Sequence, residues 1–119
     1  MRYKMDHVRI FKDSVSIDRW VYDKPTLLLN NNNEIILIFQ YSFGPLEWWQ
    51  WGIDAQGKFF QQYQWCENDL YEDESFKNEI SKNEILDKIQ HMQSFYKKYN
   101  LSEYVNLYAQ IERFVLEKY

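Results

Sequence analysis

LEWWQWGIDAQGKFFQQYQWC, residues 46–66, holds four of the chain's five tryptophans. It reads as a β-hairpin. Asp54-Ala55-Gln56-Gly57 has the chemistry of its turn: an Asp to open a type I turn and a Gly for the left-handed position that closes it. That three-residue loop pairs Asp54 with Lys58, and then Ile53 with Phe59, Trp51 with Gln61, Trp49 with Tyr63 and Glu47 with Trp65. A four-residue loop would pair Ile53 with Lys58 and Trp49 with Gln62. Side chains alternate with period two, so this slip would set apolar residues opposite polar ones. The first register puts Trp49, Trp51, Ile53, Phe59, Tyr63 and Trp65 on a core face. Trp48, Gln50, Phe60, Gln62 and Gln64 go to the opposite face, open to water or a partner.

Upstream, residues 34–43 form the strongest strand. Ile35, Leu37, Phe39, Tyr41 and Phe43 share one face; Ile36, Ile38, Gln40 and Ser42 share the other. The first half is apolar on both faces, which places the strand centrally in the sheet. Gly44-Pro45 turns the chain into the tryptophan hairpin. Residues 26–29 are a short apolar strand, joined to the central one through four asparagines, 30–33, that suit a hairpin loop. Two earlier runs alternate. In the first, Val8, Ile10 and Lys12 alternate with Arg9, Phe11 and Asp13. In the second, Val15, Ile17 and Val21 alternate with Ser16, Asp18, Trp20 and Tyr22. Asp13-Ser14 would be the turn between them, and Asp23-Lys24-Pro25 a second turn or strand break.

Downstream, residues 67–75 read ENDLYEDES, with acids at Glu67, Asp69, Glu72, Asp73 and Glu74. No amphipathic period is visible, so the stretch reads as an exposed loop. Ser81-Lys82-Asn83-Glu84 is a capping box, in which Ser81 and Glu84 satisfy each other's free amide donors. Ile85, Ile89, Met92 and Tyr96 then recur at helical spacing, flanked by Leu86 and Tyr99, with Phe76 and Ile80 fitting an extra turn upstream. Asn100 interrupts, and Asn100 to Glu103 repeats the capping spacing. Leu101, Tyr104, Tyr108, Ile111 and Val115, with Val105 beside them, make a second stripe. Strands first and helices last imply an α+β fold. The expectation is one domain over residues 1–119: an antiparallel sheet of four to six strands, then two C-terminal helices packed on one face.

Composition narrows the function. Aromatic residues make up 19% of the chain, a share that serves both cores and binding surfaces. Residues 1–60 balance seven Lys/Arg against seven Asp/Glu, whereas residues 61–119 set seven against eleven and carry the whole net charge of −4. Phosphate backbones would be repelled, so nucleic acid is not the expected partner; a basic protein would be attracted. The lone Cys66 suits a reducing compartment. There is no basic stretch leading into an apolar one at the N-terminus, and the longest apolar run, residues 35–39, cannot span a bilayer. A cytoplasmic protein away from the membrane is expected. His7 and His91 lack a second ligand or an orienting acid at useful spacing, and Glu67 beside Cys66 raises the thiol pKa, the wrong direction for a nucleophile. The glycines do not space as a phosphate loop, and the acidic run lacks the alternation of a calcium loop. No catalytic residue, metal ligand or cofactor site follows from the sequence.

Short length, acidity and strands followed by helices give the chain a general character that resembles the small bacterial immunity proteins, which neutralise toxic domains used in competition. No single motif carries the resemblance. It implies a non-enzymatic module that covers the basic active site of a cognate toxin, a nuclease among the candidates. On that reading Glu67, Asp69, Glu72, Asp73 and Glu74 meet Lys and Arg of the toxin, Tyr71 is the desolvated anchor, and Trp48 is a second contact. A solvated loop, with Tyr71 packed on its own domain, is the plain alternative. The competing functional reading is a small-molecule-binding domain with an aromatic pocket between sheet and helices.

Overall fold

A computed structural model describes residues 8–27, 37–43, 46–66 and 73–119. Among the described residues eight strands precede two helices: β1 (Val8–Ile10), β2 (Ser14–Ile17), β3 (Trp20–Asp23), β4 (Thr26–Leu27), β5 (Leu37–Phe43), β6 (Glu47–Ile53), β7 (Phe59–Cys66), β8 (Asp73–Ile80), α1 (Lys82–Lys98) and α2 (Ser102–Lys118). They form one antiparallel sheet in the order β1-β2-β3-β5-β6-β7-β8, with β4 also paired to β5. The fold is α+β as the sequence implies, and β5 stands mid-sheet, but two strands exceed the expected count.

The first additional strand comes from Asp18. Residues 15–22 read as one run, yet Ile17 pairs with Trp20, so Asp18 and Arg19 form a two-residue turn. Asp18 takes a φ of 58°, which an Asp side chain tolerates better than most. The turn resets the alternation: Trp20 and Tyr22, not Val21, join Val15 and Ile17 on the inner face. The second is β8. Residues 73–75 are strand rather than loop, and Phe76 and Ile80 are strand rather than helix; Cys66↔Asp73 through Phe59↔Ile80 pair β7 with β8. Two apolar residues four apart fit a strand face as well as a helix turn, and the long-range pairing decides between them.

Between Tyr22↔Tyr41 and Thr26↔Ile38, the three residues Asp23, Lys24 and Pro25 stand against Gln40 and Phe39 alone. This one-residue bulge divides β3 from β4 and accommodates Pro25, which has no amide to give a ladder. Lys24 instead donates its amide to Asp13 O (2.9 Å), and its ammonium pairs with Glu103 at 2.8 Å, tying the bulge to the first turn of α2.

The tryptophan hairpin has the register read from its turn, from Ile53↔Phe59 to Glu47↔Trp65. Asp54 N donates to Lys58 O at 2.9 Å, and Asp54 Oδ1 accepts from the amides of Gln56 and Lys58 at 2.9 and 3.0 Å. Gly57 sits at φ 79°. Gly52 serves a different need, because a Cβ there would meet Leu37 O and stand 2.9 Å from the Phe60 ring.

Both helices cover the Trp51 face. Ser81 caps α1: its hydroxyl accepts from Glu84 N at 3.1 Å, and Glu84 Oε1 accepts from Ser81 N at 2.9 Å. Asn100 does not cap α2, whose N-cap is Leu101 without a side-chain hydrogen bond. Asn100 instead ends α1 at φ 60°, with its own amide donating to Lys97 O (3.1 Å) and that of Leu101 to Tyr96 O (3.0 Å). This is a Schellman closure, in which Asn takes the left-handed position usually given to Gly. Val15, Ile17, Leu37, Phe39, Trp51, Ile53, Phe59 and Ile80 from the sheet pack with Ile85, Ile89, Met92, Tyr96, Leu101, Tyr104, Tyr108, Ile111 and Val115 from the helices. Among the described residues no helix is long and apolar enough to cross a membrane.

Candidate functional site

The register lines up one row of side chains across all seven strands of the main path: Ile10, Val15, Tyr22, Tyr41, Trp49, Tyr63 and Phe76. Five of these are aromatic. The helices' ring contacts with the sheet fall on Tyr22, Phe39 and Phe59. Beyond them the row opens. Tyr41, Trp49 and Tyr63 are half-buried, and Phe76 is 43% exposed. Trp49 packs on Tyr63 at 4.4 Å between centroids, and Tyr63 on Phe76 at 5.5 Å. The next row outward continues with half-buried Trp20, Phe43, Glu47 and Trp65, so the helix-side face ends in an aromatic shelf.

Where α1 passes the shelf, a groove of about 660 Å³ is lined by Tyr41, Trp49, Trp51, Gln61, Ile80, Glu84, Asp87, Lys88 and His91. It continues past Lys88 into a hollow of about 220 Å³ reaching Trp20, Tyr22 and Phe95. Trp49 and Trp51 lie nearly parallel, 5.9 Å apart at 9°. Lys88 Nζ stands 4.1 Å from the Trp51 ring centre and 5.3 Å from that of Tyr41. It has no carboxylate in ion-pair range among the described residues. Burial pushes its pKa down to about 8. The Tyr41 hydroxyl is held above its ordinary range, by burial first and by Glu47 second. Trp51 Nε1 donates to Gln61 Oε1 at 2.9 Å, so the Gln61 amide nitrogen is the end left to donate.

The sequence-derived site residues are only partly brought together. Glu67, Asp69, Tyr71 and Glu72 lie outside the described residues, as do His7 and residues 30–33. Asp73 and Glu74 open β8, opposite Cys66 and Trp65, at the shelf end of the sheet. Trp48 is on the face away from the helices, half-buried between Ser42 and Gln64. Around it runs a polar ladder, in which Gln50 donates to Gln40 (2.9 Å) and Gln40 to Asp23 (2.6 Å). Lys88 and Phe76 were not singled out from the sequence. Lys88 was findable, since it lies three residues after Ile85 and four before Met92, on the stripe itself. His91 is exposed on the groove rim.

A larger hollow, about 740 Å³, sits at the β2–β3 turn between Arg9, Ser16, Asp18, Arg19, Trp20 and Phe43. It is an open saddle with two arginines, the wrong sign for a basic partner. Among the described residues, no group of three or more His, Cys, Asp or Glu is placed to hold a metal ion. Comparison of the chain with protein-family models, with curated proteins and with solved structures finds no match.

Proposed function

We propose that the chain is a non-enzymatic protein-binding module of the cytoplasm, an immunity-type inhibitor that covers the basic active site of a toxin domain. The observation that supports this reading best is the aromatic shelf beyond the helices, with Glu47 in it and Asp73 and Glu74 opening β8 at its end. Half-buried aromatic side chains lose little rotamer freedom on docking and anchor interfaces, and the acids steer a basic surface toward them. The contact centres on Trp65 and Phe76, with Glu67, Asp69, Glu72, Asp73 and Glu74 as its acidic flank and Tyr71 as a further anchor; Trp48, on the opposite face, is a separate contact.

The test is co-expression with the product of the neighbouring gene in a host that this product kills. Wild type is expected to restore growth and to form a complex on gel filtration. Phe76→Asp, at an exposed position, is expected to weaken the complex about tenfold or more. Glu72→Gln with Asp73→Asn and Glu74→Gln should slow association by a similar factor and flatten its salt dependence, measured by surface plasmon resonance at two salt concentrations. A neighbouring product that is harmless and forms no complex would refute the inhibitor reading. Unchanged binding by both variants would place the interface away from the shelf.

The second reading, a small-molecule-binding domain, is favoured by the 660 Å³ groove, a volume within the usual range of about 300–1,000 Å³ for ligand sites.

A further inference from the structure

The groove has a feature that plain packing does not explain. A helix residue on an apolar stripe is ordinarily Leu or Ile, yet position 88 is Lys. Its ammonium lies against Trp51 with no described carboxylate near enough to pair with it. Attraction to the ring quadrupoles of Trp51 and Tyr41 offsets only part of the cost of drying an ammonium. The acids on the same rim do not complete the pairing. Glu84 is engaged with Ser81 N in the helix cap, and Asp87 is exposed on the rim.

The walls specify what would. Trp49 and Trp51 form a nearly parallel pair, their ring centres 5.9 Å apart. Trp51 already carries the cation, and half-buried Trp49 lines the same groove beside it. Gln61, its oxygen engaged by Trp51 Nε1, has an amide nitrogen left to donate and lines the same groove as the cation. We propose that this groove binds a small planar aromatic carboxylate, whose ring stacks on Trp49 and whose anion is taken by Lys88 Nζ with Gln61 Nε2. The assignment rests on the small-molecule reading above and is independent of the protein partner. A charge-assisted contact of this kind, made in a partly dry groove, is stronger than the same pair in water. One negative charge suits the site, because a second would face Asp87 and Glu84.

The proposal requires protonated Lys88, so affinity falls as pH rises past the lysine's depressed pKa. Glu84, Asp87 and His91 of α1 face the same groove, as do Tyr41 from β5 and Tyr22 from β3. The two tyrosines stay neutral through this window, because burial raises both. Lys88→Arg, which stays charged, separates the lysine from the remaining groups.

The experiment is a calorimetric titration, with the tryptophan indole N–H signals followed by NMR, using 2-naphthoate, 2-naphthamide and 2-naphthylmethylammonium at pH 7 and pH 9.5. At pH 7 the carboxylate is expected to bind at least about tenfold more tightly than the amide, and the ammonium not at all. At pH 9.5 the advantage of the carboxylate should shrink in wild type and persist in Lys88→Arg. Lys88→Met, which keeps the apolar stem, should bind carboxylate and amide alike at both pH values. Equal binding of carboxylate and amide by wild type would overturn the anion assignment and leave the small-molecule reading standing. Tightest binding of the ammonium would overturn it in favour of a cation box. No indole shift with any probe would overturn both.

Discussion

Among the described residues Tyr96 has the least well served side chain. It is fully buried, ringed by Tyr22, Tyr104 and Tyr108, and its hydroxyl, although close to that of Tyr108, makes no hydrogen bond of good geometry among the described residues. A buried polar group without a partner costs roughly 1–3 kcal/mol, so Tyr96→Phe is expected to stabilise the protein by about 1 kcal/mol or more. A urea titration that found it destabilised would mean the hydroxyl has a partner, a buried water among them. The apolar stripe holding Tyr96, Tyr104 and Tyr108 was legible from spacing alone. The fate of three inward hydroxyls was not, because it depends on distances between two helices and a strand far away in the chain. Lys88 teaches the same lesson. Its place on the stripe is visible in sequence, whereas the rings it lies against, Trp51 and Tyr41 on adjacent strands, are brought to it only by the packed fold.

At the scale of elements, what could be read was what is local. The Asp54–Gly57 turn determined the register of β6 and β7 before any long-range contact was considered, and the Ser81 box determined the start of α1. Gly57→Val is accordingly expected to cost about 1–3 kcal/mol, since a β-branched residue resists positive φ; an unchanged thermal midpoint would show that the turn relaxes freely. What could not be read was what a distant partner decides. β8 carries only Phe76 and Ile80 as inward apolar residues, and its strand character comes from pairing with β7. The Asp18 turn lacks the glycine that usually marks a tight hairpin. Asn100 sits where an N-cap or a C-terminal closure would both be plausible, and the Tyr96 and Lys97 carbonyls settle it in favour of the closure.

For the molecule as a whole, charge and burial oppose each other at high pH in a way that can be measured. Burial raises the Tyr22 pKa to about 12 and lifts Tyr96, Tyr104 and Tyr108 well above their ordinary value. The stability these groups contribute as neutral side chains is intact below pH 10, their unfolded value, and is lost as pH climbs toward the folded ones. Lys88 runs the other way. Its folded pKa of about 8 lies below the ordinary 10.5, so its burial penalty is full at pH 7 and fades as pH rises between those values. Urea midpoints should therefore rise in wild type relative to Lys88→Met from pH 8 to 10, and then fall in both proteins above pH 10. Parallel profiles for the two would show that Lys88 is hydrated. The meander also has a bearing on biosynthesis. Every strand on the path pairs with the one made just before it, so the sheet can assemble as the chain leaves the ribosome. The cover comes last. At about 5–20 residues per second, the nascent sheet shows its bare aromatic side for some seconds until α2 follows. Throughout that interval the nascent chain is exposed to chaperones and to its own neighbours on the same message, and a ribosome stalled ahead of Lys82 would hold an uncovered, adhesive sheet.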